Sequence, residues 1–315
     1  MEQFNTVPRT QPTFYFIGVT TQQSSSMRVF PLWMNALGRE EVVIEGVDMK
    51  LHDDPQNYRQ VVEHIRADPL SLGGLVTTHK IDLLDACSDL FDELAPDAAF
   101  LGEVSSISKR SEGLWGHATD PSAGGKSLDA IIDPNYFGRT GGYVLCFGAG
   151  GSAAALAYHL INQPEPDDQP EKFLVVNRSQ ARLDRLRTKI ERLETSIHFE
   201  YVLNEDPLEN DKMMAGIPDG SIVVNATGMG KDRPGSPVSD VGPFPNHGIA
   251  WEYNYRGKLD FYHQALAQQE SRSLQVEDGW VYFLHGWTQV IEYVLDLVIG
   301  PEQFEELGHI AATVR

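Results

Sequence analysis

The sequence predicts an α/β protein of two domains, each built on a largely parallel sheet. Three observations carry that reading. The chain has 315 residues, which suits two domains of ordinary size. From Phe14 to Asp120 short apolar runs alternate with amphipathic helical runs, the pattern of strands joined by crossover helices. From Tyr143 to Ser179 an apolar run, a glycine-rich turn and an alanine-rich helix lead to a second apolar strand.

The elements follow in order. Residues 1 to 12 hold two prolines and mixed polar residues and read as a loose tail. Phe14–Val19 is a strand, followed by the hydroxyl-rich loop TTQQSSS and a helix from Met27 to Leu37 stopped by Gly38. Strands are expected at Glu41–Met49, Leu72–Thr77 and Glu103–Ser108, and helices at Asn57–Ala67 and Lys80–Leu90. Leu114–Gly116 begins a run towards His117 and Asp120. A helix from Pro121 to Ile132 joins the domains, and DPNYFGRTGG is a loop by its turn chemistry. The second domain continues with a helix to Leu193, strand His198–Leu203, helix Leu208–Ala215 and the buried strand Ser221–Ala226. Gly228–Asn246 is a Gly- and Pro-rich loop. Strand Gly248–Tyr253, a helix to Gln269 and strand Ser273–Val276 follow. A long apolar-periodic helix, Trp280–Ile299, is broken by Pro301, and a last helix ends the chain.

The glycine turn reads Gly148-Ala149-Gly150-Gly151-Ser152-Ala153. Gly148 permits the tight turn out of the strand, and Gly150 lets a pyrophosphate approach the backbone. Ala153 takes the small position where helix packs on strand. Free N–H groups at the helix start, near Gly151 and Ser152, and the positive end of the helix dipole face the phosphates. This is the signature of a dinucleotide site. The second strand ends Asn177-Arg178, with no acid to hold a ribose 2′-hydroxyl. Arg178, with Arg182 one turn on, suits a 2′-phosphate, so NADP is expected in preference to NAD. Arg185 and Arg187 read as a solvated helix face.

Composition narrows the partners. A formal net charge of −20 argues against non-specific binding to nucleic acid or anionic membrane. The two cysteines, Cys87 and Cys146, lie in apolar contexts and read as reduced core thiols, as in a cytoplasmic protein. No metal-ligand spacing, signal peptide or membrane-length apolar run is present. The expected partner is a small-molecule substrate, in a monomer or homodimer.

Two residues at element ends offer proton chemistry. Lys80 closes GGLVTTHK and Asp120 closes GLWGHATD. A lysine coupled to a carboxylate in a dry cleft can act as an acid/base group beside a nicotinamide. Spacing alone does not pair them.

From Phe14 onward the chain resembles the shikimate dehydrogenase family. The resemblance rests on Ser24 and Ser26, Val76-Thr77 with Lys80, and Ala118-Thr119-Asp120. It continues through the Gly148–Gly151 turn, Asn177-Arg178-Ser179, and Asn225-Ala226-Thr227-Gly228-Met229. It implies a reversible NADP-linked reduction of a ring ketone, as in aromatic amino acid biosynthesis, with Lys80 and Asp120 as the acid/base pair. Ser24, Ser26, Thr77 and Ser105 would contact substrate, with Tyr255 on the same side. Thr227, Met229 and Gly279 would lie near the nicotinamide. It also implies that the C-terminal helices return to the first domain. The substrate domain is then residues 1–122 with 284–315, and the NADP domain 123–283.

The departures bear on the substrate. The Pro-x-x-His-Asn that follows the family's serine pair is absent. The Thr-x-Pro-x-Lys motif is one residue shorter, as Thr77 to Lys80. Gly-Ala-Val-Asn-Thr reads Gly102-Glu103-Val104-Ser105-Ser106. The family's Asn stands as Ala118, and its Gln on the C-terminal helix as Gly286. Each lost amide can cost about 1–3 kcal/mol of recognition, so the same chemistry on a different or bulkier ring acid or cyclic polyol is expected. His285 or Gln289 could supply a replacement contact, and for Gln289 packing is the preferred role. The alternatives are a same-fold dehydrogenase acting on quinate or a secondary-metabolism ketone, a non-catalytic NADP-binding regulator, and a folate-type methylene dehydrogenase.

Overall fold

The structure is a computed structural model and describes residues 4–231 and 233–314. The chain divides into two compact units, residues 1–119 with 286–315 and residues 120–285.

The first unit is organised by β1 (Thr13–Gly18), whose side chains are buried throughout. A strand buried on both faces needs neighbours and cover on each side. After β1 come α1 (Ser25–Ala36), β2 (Val43–Asp48), α2 (Pro55–Ala67), β3 (Ser71–Val76) and α3 (Lys80–Cys87). Then follow β4 (Glu93–Leu94), α4 (Pro96–Leu101), β5 (Ser106–Arg110) and β6 (Gly113–His117). The sheet order is β2-β1-β3-β5-β6-β4. Three of its pairings are parallel, and the β3–β5 and β5–β6 pairings are antiparallel. The core is aromatic: Phe14 lies 4.7 Å from Phe30 and Phe16 lies 5.4 Å from Trp287. Trp33 is fully buried and donates its indole N–H to the Leu307 carbonyl at 2.8 Å, which ties the last helix to α1.

The second unit begins with α5 (Asp120–Ile131) and α6 (Tyr136–Thr140). Then come β7 (Val144–Phe147), α7 (Gly151–Ile161), β8 (Lys172–Asn177), α8 (Gln180–Ile190), β9 (His198–Leu203) and α9 (Pro207–Ala215). β10 (Ile222–Asn225), β11 (Ile249–Glu252), α10 (Asp260–Leu266), α11 (Gln269–Arg272) and β12 (Gln275–Glu277) complete its sheet side. All five pairings are parallel, in the order β12-β11-β10-β7-β8-β9. The chain runs outward from β7 to β9, then restarts on the other side at β10. That reversal makes β7/β10 the topological switch point of a Rossmann-type sheet. α12 (Trp280–Leu295) starts in this unit, and its residues from Gly286 group with the first, as does α13 (Pro301–Ala312).

Several expected elements are corrected. The segment Asp133–Gly142, expected as a loop, holds α6, because Tyr136 is anchored by its hydroxyl to the Gly220 carbonyl at 2.9 Å and Phe137 is buried. β4 and α4 were not expected. The strand expected at Glu103–Ser108 begins at Ser106, after Gly102 in the left-handed region turns the chain out of α4. The long helix ends at Leu295 rather than Ile299, and Asp296 follows in the left-handed region (φ 53°). The last strand is Gln275–Glu277, displaced by the left-handed Ser273.

Candidate active site

In the first unit the residues of interest gather at the C-terminal ends of β1 and β3. Thr77 directly follows β3, and its N–H and hydroxyl both donate to the Ile17 carbonyl, at 3.0 and 3.2 Å. This pins the start of the turn against β1. Lys80 is the first residue of α3, half-buried, and its carbonyl accepts the Val104 N–H at 3.1 Å. Lys80 Nζ stands 3.9 Å from an Oε of Glu103, a carboxylate only 5% exposed. Two residues on, Ser105 is buried and spoken for: its Oγ accepts the Thr119 N–H at 2.7 Å and pairs with the Thr119 hydroxyl at 2.9 Å. Where the family pattern has an amide, this chain has a short hydroxyl holding the residue before Asp120 in place.

Ser24 is the N-cap of α1, its hydroxyl accepting from the Ser26 N–H at 3.2 Å, and Ser26 is buried. The capping satisfies one of the helix's free N–H groups. His79, buried between Thr78 and Lys80, shares a 3.1 Å hydrogen bond with the Tyr58 hydroxyl, and burial lowers its pKa. Gln289 donates to the Tyr293 hydroxyl at 3.1 Å, and its Oε1 is buried without a hydrogen-bond partner.

In the second unit the glycine turn stands at the switch point. Gly148 has φ +120°, and a Cβ there would meet the Ala226 carbonyl oxygen at 2.5 Å. Only glycine lets β7 turn this tightly beside β10. Gly150 is the opposite case: exposed, extended (φ −97°), with nothing within 4 Å of a built Cβ. The backbone is bare at the mouth of α7, a helix of 11 residues, where a pyrophosphate fits the free N–H groups. Ala149 is buried, while Gly151 and Ser152 open the helix and face outward in part. Ala153 is fully buried against the sheet.

Beyond β8, the Asn177 Oδ1 accepts the Ser179 N–H at 2.9 Å, which shapes the turn. Arg178, within that turn, and Arg182, in the first turn of α8, are both exposed. The residues present therefore fit a dinucleotide carrying a 2′-phosphate. After β10, the Thr227 N–H and hydroxyl both donate to Asn225 Oδ1, at 3.1 and 2.6 Å, and Thr227 Oγ1 accepts the Met229 N–H at 3.2 Å. Tyr255 packs 4.5 Å from Phe283, and Phe283 stacks 5.3 Å from Trp280. Gly279 is a packing glycine as well as an expected site residue, since a Cβ would meet the Tyr253 carbonyl oxygen at 2.0 Å. Burial lowers the His285 pKa to about 4, with Lys126 adding to the effect, so this imidazole is neutral at neutral pH. Asp120 opens α5 as the first residue of the unit.

Thus Lys80, Thr77, Ser105 and the serine loop belong to one unit. Asp120, the glycine turn, Arg178, Arg182, Thr227, Met229, Tyr255, Gly279 and His285 belong to the other. No motif in the sequence marks Glu103 or Glu252. Each is an acid inside an otherwise apolar or small segment, GEVSS and IAWEY, and that contrast is the signal that could have found them. Among the described residues no group of three metal-ligating side chains occurs, and no helix is long and apolar enough to cross a membrane.

Sheet order, switch point and glycine turn define a two-unit α/β protein with a Rossmann-type nucleotide unit. No family model matches the chain. Curated relatives are named shikimate dehydrogenase (NADP(+)). That of Symbiobacterium thermophilum is 28% identical over 204 residues, 64% of each chain. That of Sphingopyxis alaskensis is 27% identical over 274 residues, 86% of each. The match to the first therefore spans a little under two thirds of that relative's length. The fold matches the shikimate 5-dehydrogenase of Listeria monocytogenes in complex with shikimate and NAD (TM-score 0.72, 20% identity, 96% of this chain and 99% of that one). It also matches the enzyme of Thermus thermophilus with NADP(H) and shikimate (0.68, 23%, 95% and 99%). A third match is the 5-ketofructose reductase of a Gluconobacter strain (0.69, 17%, 97% and 99%). The chain is thus similar to the shikimate dehydrogenases in sequence and, over nearly its whole length, in fold.

Proposed function

We propose that the protein is an NADP-dependent dehydrogenase of shikimate dehydrogenase type, interconverting a ring ketone and its alcohol on 3-dehydroshikimate/shikimate or a related cyclic polyol acid. One observation carries the reading. A bare glycine turn at the switch point of a Rossmann-order sheet shares a chain with Lys80, which stands beside a buried carboxylate at the end of β3. The curated relatives' shared name supports it.

When bound, the nicotinamide supplies or takes up the hydride. The chain's own residues do the rest. The α7 N-terminus and the Gly148–Gly151 backbone hold the pyrophosphate, and Arg178 with Arg182 grips the 2′-phosphate. Lys80 gives a proton to the developing alkoxide during reduction and takes it back during oxidation. Asp120 is its motif partner. Glu103, on Lys80's own unit, stands 3.9 Å from the Lys80 Nζ and can help to orient it.

A second reading has its own observation. Ala118 and Gly286 carry no amide, and the Ser105 hydroxyl is engaged with Thr119. These losses favour quinate or another cyclic ketone or alcohol over shikimate. Oxidation of shikimate, quinate and related cyclitols with NADP+ and NAD+ separates the two. NADP+-linked turnover of a cyclic polyol acid is expected. Tight NADPH binding with no turnover across the panel would replace the enzyme by a regulatory NADP binder.

A further inference from the structure

At the end of β11 the chain buries a carboxylate completely: Glu252 is 0% exposed. It is not an orphan. Its Oε2 accepts the Asn225 side-chain N–H at 2.6 Å, and its Oε1 accepts both the Asn254 backbone N–H at 2.8 Å and the Asn254 side-chain N–H at 2.6 Å. Both asparagines are buried, and both continue to the same loop. Asn225 Oδ1 accepts the N–H and hydroxyl of Thr227. Asn254 Nδ2 reaches the carbonyls of Thr227 and Met229, at 3.0 and 3.3 Å.

The logic of donors and acceptors makes Glu252 the origin of this network. An ionised carboxylate only accepts, whereas an amide can present either end. With Glu252 facing them, Asn225 and Asn254 must turn their NH2 groups inward. Asn225 then presents its oxygen to Thr227, and no other amide orientation satisfies both contacts. Fully satisfied buried networks fix one arrangement, and partly satisfied ones do not. The remainder of the loop is held differently, by backbone bonds such as Gly230 N–H to Arg233 O at 2.7 Å.

We propose that Glu252 is a positioning residue for the reaction: through Asn225 and Asn254 it sets the conformation of the Thr227–Met229 segment that faces the nicotinamide. The nicotinamide half of this statement rests on the dehydrogenase reading, and the loop half does not. Burial pushes the Glu252 carboxyl up to about 7, with Asp278 adding to the rise, while the three N–H donors oppose it. The ionised form is the one this geometry requires.

The test uses the full chain carrying Glu252→Gln, which keeps the shape but turns an NH2 towards one of the asparagine donors. Amide hydrogen exchange is followed at Thr227 and Met229, together with NADPH affinity and turnover. Exchange at those two amides is expected to rise about ten-fold or more, the cost of a lost charge-assisted hydrogen bond, while exchange in β7 and α7 stays put. NADPH affinity should change less than about three-fold while kcat falls about ten-fold or more, because the phosphates are gripped elsewhere. Glu252→Asp, which keeps the charge, should recover part of the loss. Unchanged exchange at Thr227 and Met229 would overturn the proposal. If the wild-type chain reduces no cyclic ketone, the dehydrogenase reading fails, and the exchange arm still decides the role of Glu252. Should the Gln variant not fold, Asn254→Ala carries the test. It removes the bonds to the Thr227 and Met229 carbonyls, and unaltered exchange there would equally overturn the proposal.

Discussion

Gly148 and Gly150 sit two residues apart and should respond to the same substitution in opposite ways. At Gly150 the backbone is extended, and a methyl group meets nothing within 4 Å. Gly150→Ala should therefore leave the fold intact, or stabilise it by about 0.4–1 kcal/mol by restricting the unfolded chain. The same methyl occupies the space a pyrophosphate needs, so NADPH affinity should fall at least about ten-fold, a loss of about 1.4 kcal/mol. At Gly148 the order reverses. With φ at +120° and the Ala226 carbonyl oxygen 2.5 Å from the new Cβ, alanine costs about 1–3 kcal/mol in backbone strain, and the clash adds to it. A loss of that kind lowers the melting temperature by about 1.5 °C per kcal/mol for a chain of 315 residues. Thermal unfolding and NADPH fluorescence titration on both variants read the two effects separately. A Gly150→Ala protein that melts normally and binds NADPH like the wild type would refute the assignment of the turn.

Three further outcomes are expected. Arg178→Ala should weaken NADPH about ten-fold or more, by loss of charge-assisted bonds to the 2′-phosphate, and leave NADH nearly unaffected; equal losses in parallel titrations would contradict the 2′-phosphate role. Trp33→Ala should destabilise the protein by about 3–5 kcal/mol, since the indole is fully buried and its N–H is bonded to Leu307; denaturant melts measure this. His117 is held near a pKa of about 4, first by burial and then by Arg110, and it stacks 4.2 Å from Tyr293. Below the ordinary histidine range the unfolded chain takes up a proton that the folded chain refuses. The stability from this site is thus complete above about 6.5 and lost as pH falls towards about 4. His117→Phe should flatten that part of the stability–pH curve, and an unchanged slope would contradict the buried neutral form.

The parts of the fold that were legible in the sequence are those with local causes. β7, the glycine turn and α7 announce themselves through an apolar run, a residue type and a helix composition. Each is dictated within a few residues. β10 is legible because four consecutive side chains are buried. The two-residue β4 and six-residue α4 are too short to show a period. α6 depends on Tyr136 reaching Gly220, far along the chain, which no local pattern displays. The site divides the same way. Gly150, Arg178 and Lys80 stand out by type and position. Glu103 and Glu252 matter because of what lies across from them once the chain has folded. Ser105 shows the limit of motif reading: its hydroxyl serves Thr119 within the chain, a role the pattern Gly-x-Val-x-x does not encode.

The most direct test of the central claim is single-turnover hydride transfer from NADPH to 3-dehydroshikimate, with 3-dehydroquinate as a second substrate, in wild type and Lys80→Ala. The wild type is expected to oxidise NADPH in at least one reaction, and the variant to bind NADPH with unchanged affinity while its transfer rate falls about a hundred-fold or more, the usual contribution of a general acid. A Lys80→Ala protein that transfers hydride at the wild-type rate would contradict it.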